Sequence, residues 1–393
     1  MPQLPEVSSV KAPDQVAYNA SKPRRFTYIN VPLICVMAAL LSYGLLVVWT
    51  AVVDNADYNF VRQLQGVGLG AILMLLIWRF DYRLLSDYTT ILLAITVVLI
   101  LLPYVPFLGV EVNGATSWIS IFGQQIQPGE FAKFTYILLA ASVVSRYGGK
   151  LDDPREYVKT FLILLLPFVC VLTHDLGTGL VYLFIGAVAM IIGGARAKYL
   201  LITLLAAVAA FIALMAIDEM IKNSRGEYLL LKEYQRARLL VFIDQDYAQS
   251  DEGYNLNQAK IAIGSGGLFG KGLLAGTQSS LGYLPEAPTD FIFCVLAEQL
   301  GFLGVLVLLG LYGALILICF NIATKASDLF GLLIVMCIAG MWLFQILENI
   351  GMTCGLMPIT GIPLPFVSWG SSFMVVNFML LGLIGSVWAR GNR

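Results

Sequence analysis

The sequence predicts an all-α polytopic membrane protein, a bundle of about ten transmembrane helices with one long structured extracellular loop. Three observations predict it. Of 393 residues, 59% are hydrophobic and only 12% charged, whereas an ordinary soluble domain has ~45–50% apolar and ~25% charged residues; mean hydropathy is +0.81. The apolar residues fall into successive runs, most of them close to the ~20 residues that cross a bilayer. Lys and Arg collect in alternate connections between those runs. A large soluble catalytic domain is excluded.

Residues Met1 to Ser21 are polar and hold Pro2, Pro5 and Pro13, and the basic residues Lys22, Arg24 and Arg25 follow. Residues 1–28 therefore read as a cytoplasmic tail, and 29–393 as one transmembrane domain. The first run, Ile29 to Val53, is too long for a signal-peptide core and lacks a small-residue cleavage site, so it is an uncleaved anchor. Further runs follow at Gln63 to Trp78, Tyr88 to Val110, Glu130 to Val144, Val158 to Thr173, Gly177 to Gly193, Leu200 to Ile217, Phe291 to Ile322, Leu329 to Ile350 and Phe373 to Trp388. No internal repeat is visible, which gives an inverted-repeat transporter no support.

With the N-terminus inside, the inner connections hold Arg79, Arg83, Arg146, Lys150, Arg155, Lys159, Arg196, Lys198, Lys325, Arg390 and Arg393. The short outer ones hold only Arg62. Both termini are then cytoplasmic, and the connection Asp218 to Thr289 lies outside. It carries apolar residues at helical spacing over Glu227 to Ile243, with a second helix expected around Asn255 to Ile263, and reads as a structured element on the membrane surface.

The formal net charge of -1 leaves no global basic field for nucleic acid. The six cysteines lack C-x-x-C spacing and His174 is the single histidine, so neither a zinc site nor a disulfide framework is indicated. Ionisable residues in or at the mouths of spans cost ~2.5 kcal/mol or more and point to function. Here they are Arg62, Glu130, Lys133, Asp175, Asp290, Glu298 and Glu348, nearly all toward the outer side. Glu130 and Lys133 share a helix face, as a neutralised structural pair or as part of the chemistry. The glycine-rich stretch Gly264 to Gly272 invites a phosphate-loop reading, but Ser265 and Gly272 break the Walker pattern. A turn closing the second loop helix is the simpler account. In Leu284 to Phe293, Thr289 or Asp290 is placed either to cap the eighth span or to act as a catalyst.

Five stretches resemble the SEDS glycosyltransferases, polytopic enzymes of peptidoglycan polymerisation. They are Asn113 to Lys133, with Gln127-Pro-Gly-Glu-Phe-Ala-Lys133; Asp175-Leu-Gly-Thr; Gly253 to Gly272; Leu284-Pro-Glu-Ala-Pro-Thr-Asp-Phe-Ile-Phe293; and Asn349-Ile-Gly-Met through Gly361-Ile-Pro-Leu-Pro-Phe366. The chain departs from the family pattern at Ser117 (arginine), Gly129 (serine), Pro288 (histidine), Trp369 (tyrosine) and Ser371 (glycine). Short tails and the Asn-Ile-Gly-Met stretch are closer to the elongation branch than to the division branch.

The resemblance implies glycosyl transfer at the outer leaflet of the bacterial cytoplasmic membrane: a lipid II acceptor hydroxyl attacks the donor's anomeric carbon, and undecaprenyl pyrophosphate leaves with inversion. It implies Asp290 as the catalytic base and Arg62, Glu130, Lys133, Asp175, Arg238, Gln258, Lys271 and Ser372 as substrate contacts. Arg62, Lys133 and Arg238 are the candidates for the pyrophosphate. It further implies no organic cofactor, a divalent cation (Mg2+ or Mn2+) without an identified site, and as partners a class B penicillin-binding protein and other elongation-complex membrane proteins. Two other classes compete: a lipid II flippase, which needs charges across the whole membrane depth, and a scaffold for a transpeptidase, which has no use for Asp290.

Overall fold

Each long apolar run becomes a helix because hydrocarbon offers its backbone no other partner. The computed structural model describes residues 29–53, 55, 58–105, 108–112, 115–121, 124–172, 175–225, 241–242 and 251–391. Asn30 opens α1 (Val31–Val52) by accepting from the Leu33 N–H at 3.0 Å, and Asn59 opens α2 (Phe60–Arg79) by accepting from the Val61 N–H at 2.8 Å. There follow α3 (Thr89–Leu101), α4 (Pro128–Ser145), α5 (Pro154–Leu172), α6 (Leu176–Ile192) and α7 (Ala197–Arg225). Beyond them come α8 (Asp251–Ser265), the short α9 (Thr277–Ser280), α10 (Ile292–Thr324), α11 (Leu329–Cys354) and α12 (Ser371–Ala389). Ten of these helices fall on the ten expected spans, and α8 on the expected loop helix. By length and composition six are apolar enough to cross a membrane: α1, α2, α7, α10, α11 and α12.

Two boundaries need correction, and one small element was not expected. The third span does not reach Val110: Pro103 sits in a 3-10 turn, Leu102–Tyr104, and β1 starts at Gly109. The protein is also not wholly helical, because β1 (Gly109–Val112), β2 (Ala115–Ile121) and β3 (Gln124–Ile126) form an antiparallel sheet of order β1-β2-β3 in the α3–α4 connection. Val110 faces Trp118, and Ser120 faces Gln125 across it. Lastly, α7 runs through Asp218 to Arg225, since a single buried acid does not end a helix. The helix expected over Glu227 to Ile243 lies outside the described residues, apart from Val241 and Phe242.

The core is formed by α4, α11 and α12, whose faces are covered on most sides. By contrast, none of the apolar window of α7 is buried among the described residues. Alternation of the ten helices gives the bundle two ends. At one end Asp328 caps α11 through the Gly331 N–H (2.7 Å), accepts the Tyr82 hydroxyl (2.6 Å) and pairs with Arg83 (3.2 Å). Arg390 pairs with Asp81 at the same end. The other end carries Asp290.

At that second end α10 is broken at Gly301, where φ is +67° and ψ -168°. The break frees main-chain groups that the glycine-rich turn after α8 takes up. Phe302 and Leu303 N–H groups donate to the carbonyls of Gly267 (2.9 Å) and Leu268 (3.2 Å), while Lys271 and Gly272 N–H groups donate to those of Glu298 and Gln299, both at 3.0 Å. The two backbones touch so closely that a Cβ on Gly301 would lie 2.2 Å from the Gly270 nitrogen. Gly301→Ala therefore forces the two segments apart and is expected to cost about 1–3 kcal/mol. Gly313→Ala, on α10 with open space around it, serves as the control. Thermal unfolding in detergent reads both: the first variant melts lower, the second at or above wild type.

Candidate active site

The turn before α10 presents Asp290. The N–H groups of Thr289, Asp290 and Phe291 all donate to the Glu286 carbonyl, at 3.2, 3.1 and 3.3 Å. The helix then starts at Ile292 with Phe291 in the cap position and no side-chain cap. Neither Thr289 nor Asp290 is the N-cap, contrary to that expectation: the Thr289 hydroxyl donates to Glu286 instead. Three neighbours fix the turn's outer face. Asn349 on α11 donates from Nδ2 to the carbonyls of Asp290 and Ile362, each at 2.8 Å. The Ser368 hydroxyl donates to the Thr289 carbonyl (2.6 Å), and the Trp369 N–H to that of Pro288 (2.8 Å). Gln63 of α2 holds this second segment, donating to the Ser368 carbonyl and accepting from the Gly370 N–H.

Beside it, Glu130 and Lys133 face each other one turn apart on α4, 2.5 Å between Nζ and Oε1, with both side chains under 5% exposed. The ammonium also lies 5.9 Å from the Phe373 ring centre of α12. Ser372 is within reach of the start of α4, its Oγ 3.5 Å from the Gln127 nitrogen. The second carboxylate oxygen of Glu130 is buried without a hydrogen-bond partner among the described residues. Asp175 caps α6, accepting the Thr178 N–H (2.9 Å) and hydroxyl (2.7 Å). Its flank lines a small cleft with Ser117, Gln127, Gly129, Thr178, Ile100, Pro103 and Val171. Two of the departures from the family pattern, Ser117 and Gly129, thus line the same cleft, where smaller side chains leave more room.

The structure gathers Asp290, Glu130, Lys133, Asp175 and Ser372 at one end of the bundle. Arg62 is exposed in the first turn of α2, next to Gln63, and Gln258 is half-buried on α8. Lys271 has a different engagement: its ammonium pairs with Glu298 at 2.7 Å, and Glu298 also accepts from the N–H groups of Thr277, Gln278 and Ser279. Together they staple α9 and the glycine-rich turn onto α10. Arg238 lies outside the described residues. The sequence reading missed Tyr58 and Glu286, whose side chains meet at 2.6 Å across 228 positions, and Thr360, whose hydroxyl donates to Glu348. An ordinary polar residue in a connection gives no local signal of such a contact.

The fold and the site define a multi-pass membrane protein with a recessed polar site at one end of its bundle. Over residues 29–392 the chain matches the FtsW/RodA/SpoVE family model, described as a cell cycle protein, and it belongs to that family. It is 33% identical over 422 residues to the peptidoglycan glycosyltransferase RodA of Treponema pallidum, covering 91% of this chain and 97% of that one. It is 32% identical over 361 residues to the peptidoglycan glycosyltransferase MrdB of Escherichia coli K12, covering 92% and 93%. A solved chain of a peptidoglycan synthase complex, in which polymerization and crosslinking are coordinated, matches with TM-score 0.74 at 29% identity over 91% of this chain and 97% of that one. The rod shape determining protein RodA of Thermus thermophilus matches with TM-score 0.66 at 28% identity over 96% and 98%.

The buried pair gives a direct test. Glu130→Gln leaves the Lys133 ammonium without its counter-charge at a cost of about 3–5 kcal/mol, while Glu130→Gln with Lys133→Met removes both charges and regains much of the loss. Melting temperatures of the two variants in detergent check this, and a single variant as stable as wild type contradicts it.

Proposed function

We propose that this chain is a peptidoglycan glycosyltransferase that polymerises lipid II at the outer leaflet of the bacterial cytoplasmic membrane, in cell elongation, with Asp290 as general base. Family membership and the activity printed for both relatives support the reaction. The observation that carries the base is the turn itself: its backbone is fixed from three sides, and Phe291, not Asp290, holds the cap position of α10.

In this reading Asp290 accepts the proton of the acceptor N-acetylglucosamine 4-hydroxyl as its oxygen attacks the anomeric carbon of the donor. The glycosyl–phosphate bond breaks and the electron pair leaves on undecaprenyl pyrophosphate. Cations stabilise that charge. Arg62 is exposed and open to the pyrophosphate, and Arg238 remains a candidate. Lys133 acts through its buried pair with Glu130, which orders the α4 and α12 wall beside Asp290. Among the described residues no three His, Cys, Asp or Glu side chains gather. A divalent cation (Mg2+ or Mn2+) held by one or two carboxylates and the pyrophosphate itself would share that charge with the chain's own cations.

Among the described residues the buried charges are Glu130, Lys133, Asp218, Glu298 and Glu348; their places along their helices put them toward the Asp290 end, which favours a one-sided site over a flippase path. Basic residues crowd the opposite end, which supports cytoplasmic termini and an outward-facing site. A class B penicillin-binding protein is the proposed partner, together with other membrane proteins of the elongation complex, by analogy with the synthase complex. Polymerisation of fluorescent lipid II by purified protein tests the reading. Asp290→Asn melts like wild type and loses about 10²–10⁴-fold in rate. A variant that polymerises at the wild-type rate removes Asp290 from the chemistry and reopens the flippase and scaffold readings.

A further inference from the structure

The carbonyl oxygen of Glu286 is the hub of the Asp290 turn, and it takes that position because Glu286 adopts φ +52°. A residue with a Cβ stays in this left-handed region only when its surroundings hold it there. Two hydroxyls do so. The Glu286 carboxylate accepts from the Tyr58 hydroxyl at 2.6 Å and from the Thr289 hydroxyl at 3.0 Å. Tyr58 belongs to the α1–α2 connection, far from the turn in sequence. Its ring meets that of Trp369 edge-on, with centroids 5.0 Å apart and planes at 86°. The Trp369 indole N–H donates to the Asn59 carbonyl at 3.3 Å, and its main-chain N–H reaches the turn at Pro288. Trp369 thus touches the turn with its backbone and the α1–α2 connection with its side chain. Burial, the hydrogen bond and charge of Glu286, and the charge of Asp290 push the Tyr58 hydroxyl well above the usual phenol range. It stays a donor at any working pH.

We propose that Tyr58 and Trp369 form a bracket through which the α1–α2 connection positions Asp290, making Tyr58, Glu286 and Trp369 positioning residues for the transfer step. The proposal rests on Asp290 as base. Trp369 stands where the family pattern has tyrosine, and a tyrosine has no indole N–H to reach Asn59, so this bracket is built by the residue on which the chain departs.

The test compares kcat, KM and melting temperature for the full chain polymerising lipid II. Tyr58→Phe is expected to lower kcat by about 10–100-fold, because small misplacement of a reacting group is costly, with KM and melting temperature close to wild type. Trp369→Phe keeps an aromatic edge contact but loses the indole donor, and lowers kcat less. Because the two act through one bracket, the double variant is no slower than Tyr58→Phe alone, whereas independent structural effects multiply. Should Tyr58→Phe fail to fold, Glu286→Gln, which keeps an acceptor for the hydroxyl, is expected to retain native stability with reduced kcat. Wild-type kcat in Tyr58→Phe, or multiplicative losses in the double variant, overturns the bracket. If Asp290→Asn is inactive in the same assay while Tyr58→Phe is unaffected, the bracket alone fails; if Asp290→Asn is fully active, the reading beneath it fails.

Discussion

A main-chain N–H or C=O left without a partner in hydrocarbon costs several kcal/mol, and three departures from helix at the Asp290 end are shaped by that constraint. The chain leaves helical geometry there in the glycine-rich turn, in the turn of residues 285–291 and in the segment 355–370. Each finds its partners in another segment. The glycine-rich turn pairs with the broken strand of carbonyls and amides around Gly301. The Asp290 turn closes on the Glu286 carbonyl and is held by Asn349, Ser368 and Trp369. Segment 355–370 is held in turn by Gln63 and by Tyr312, whose hydroxyl donates to the Pro365 carbonyl at 2.6 Å.

The same constraint explains why buried polar side chains concentrate at this end. Asn349 and Glu298 each answer main-chain groups that no helix could satisfy. A network of this kind has few alternative arrangements, because breaking one bond strands another buried group. It fixes the Asp290 backbone without a helix around it. A carboxylate held so, at the mouth of a span and beside a buried ion pair, suits one-sided chemistry on a substrate presented from the membrane surface.

Much of the fold was legible because a run of about twenty apolar residues has one good solution in lipid. The ten helices were readable on those grounds, six of them long and apolar enough among the described residues to cross a membrane, and the Glu130–Lys133 pair was readable from spacing three along a helix. The sheet was missed although Asn113-Gly114 is a strong hairpin signal; the apolar run beginning at Tyr88 masked it. The cap assignment failed because residues 286–291 close on one carbonyl, a choice made by Glu286 at positive φ and invisible in a Pro-Thr-Asp string. Gly301 lies in an apolar run with no local mark of a break, and Lys271, expected at the substrate, shows its pairing with Glu298 only when the two segments are brought together. What the sequence hides at Gly301 and Lys271 is a long-range pairing of two segments.

Hydrogen exchange tests the central claim most directly, that the Asp290 turn is a fixed, internally bonded element. In the full chain in nanodiscs, the amides of Thr289, Asp290, Phe291 and Trp369 are expected to exchange far more slowly than those of an open loop, at rates comparable to the neighbouring first turns of α10. Exchange of these amides as fast as in an unstructured peptide would contradict it.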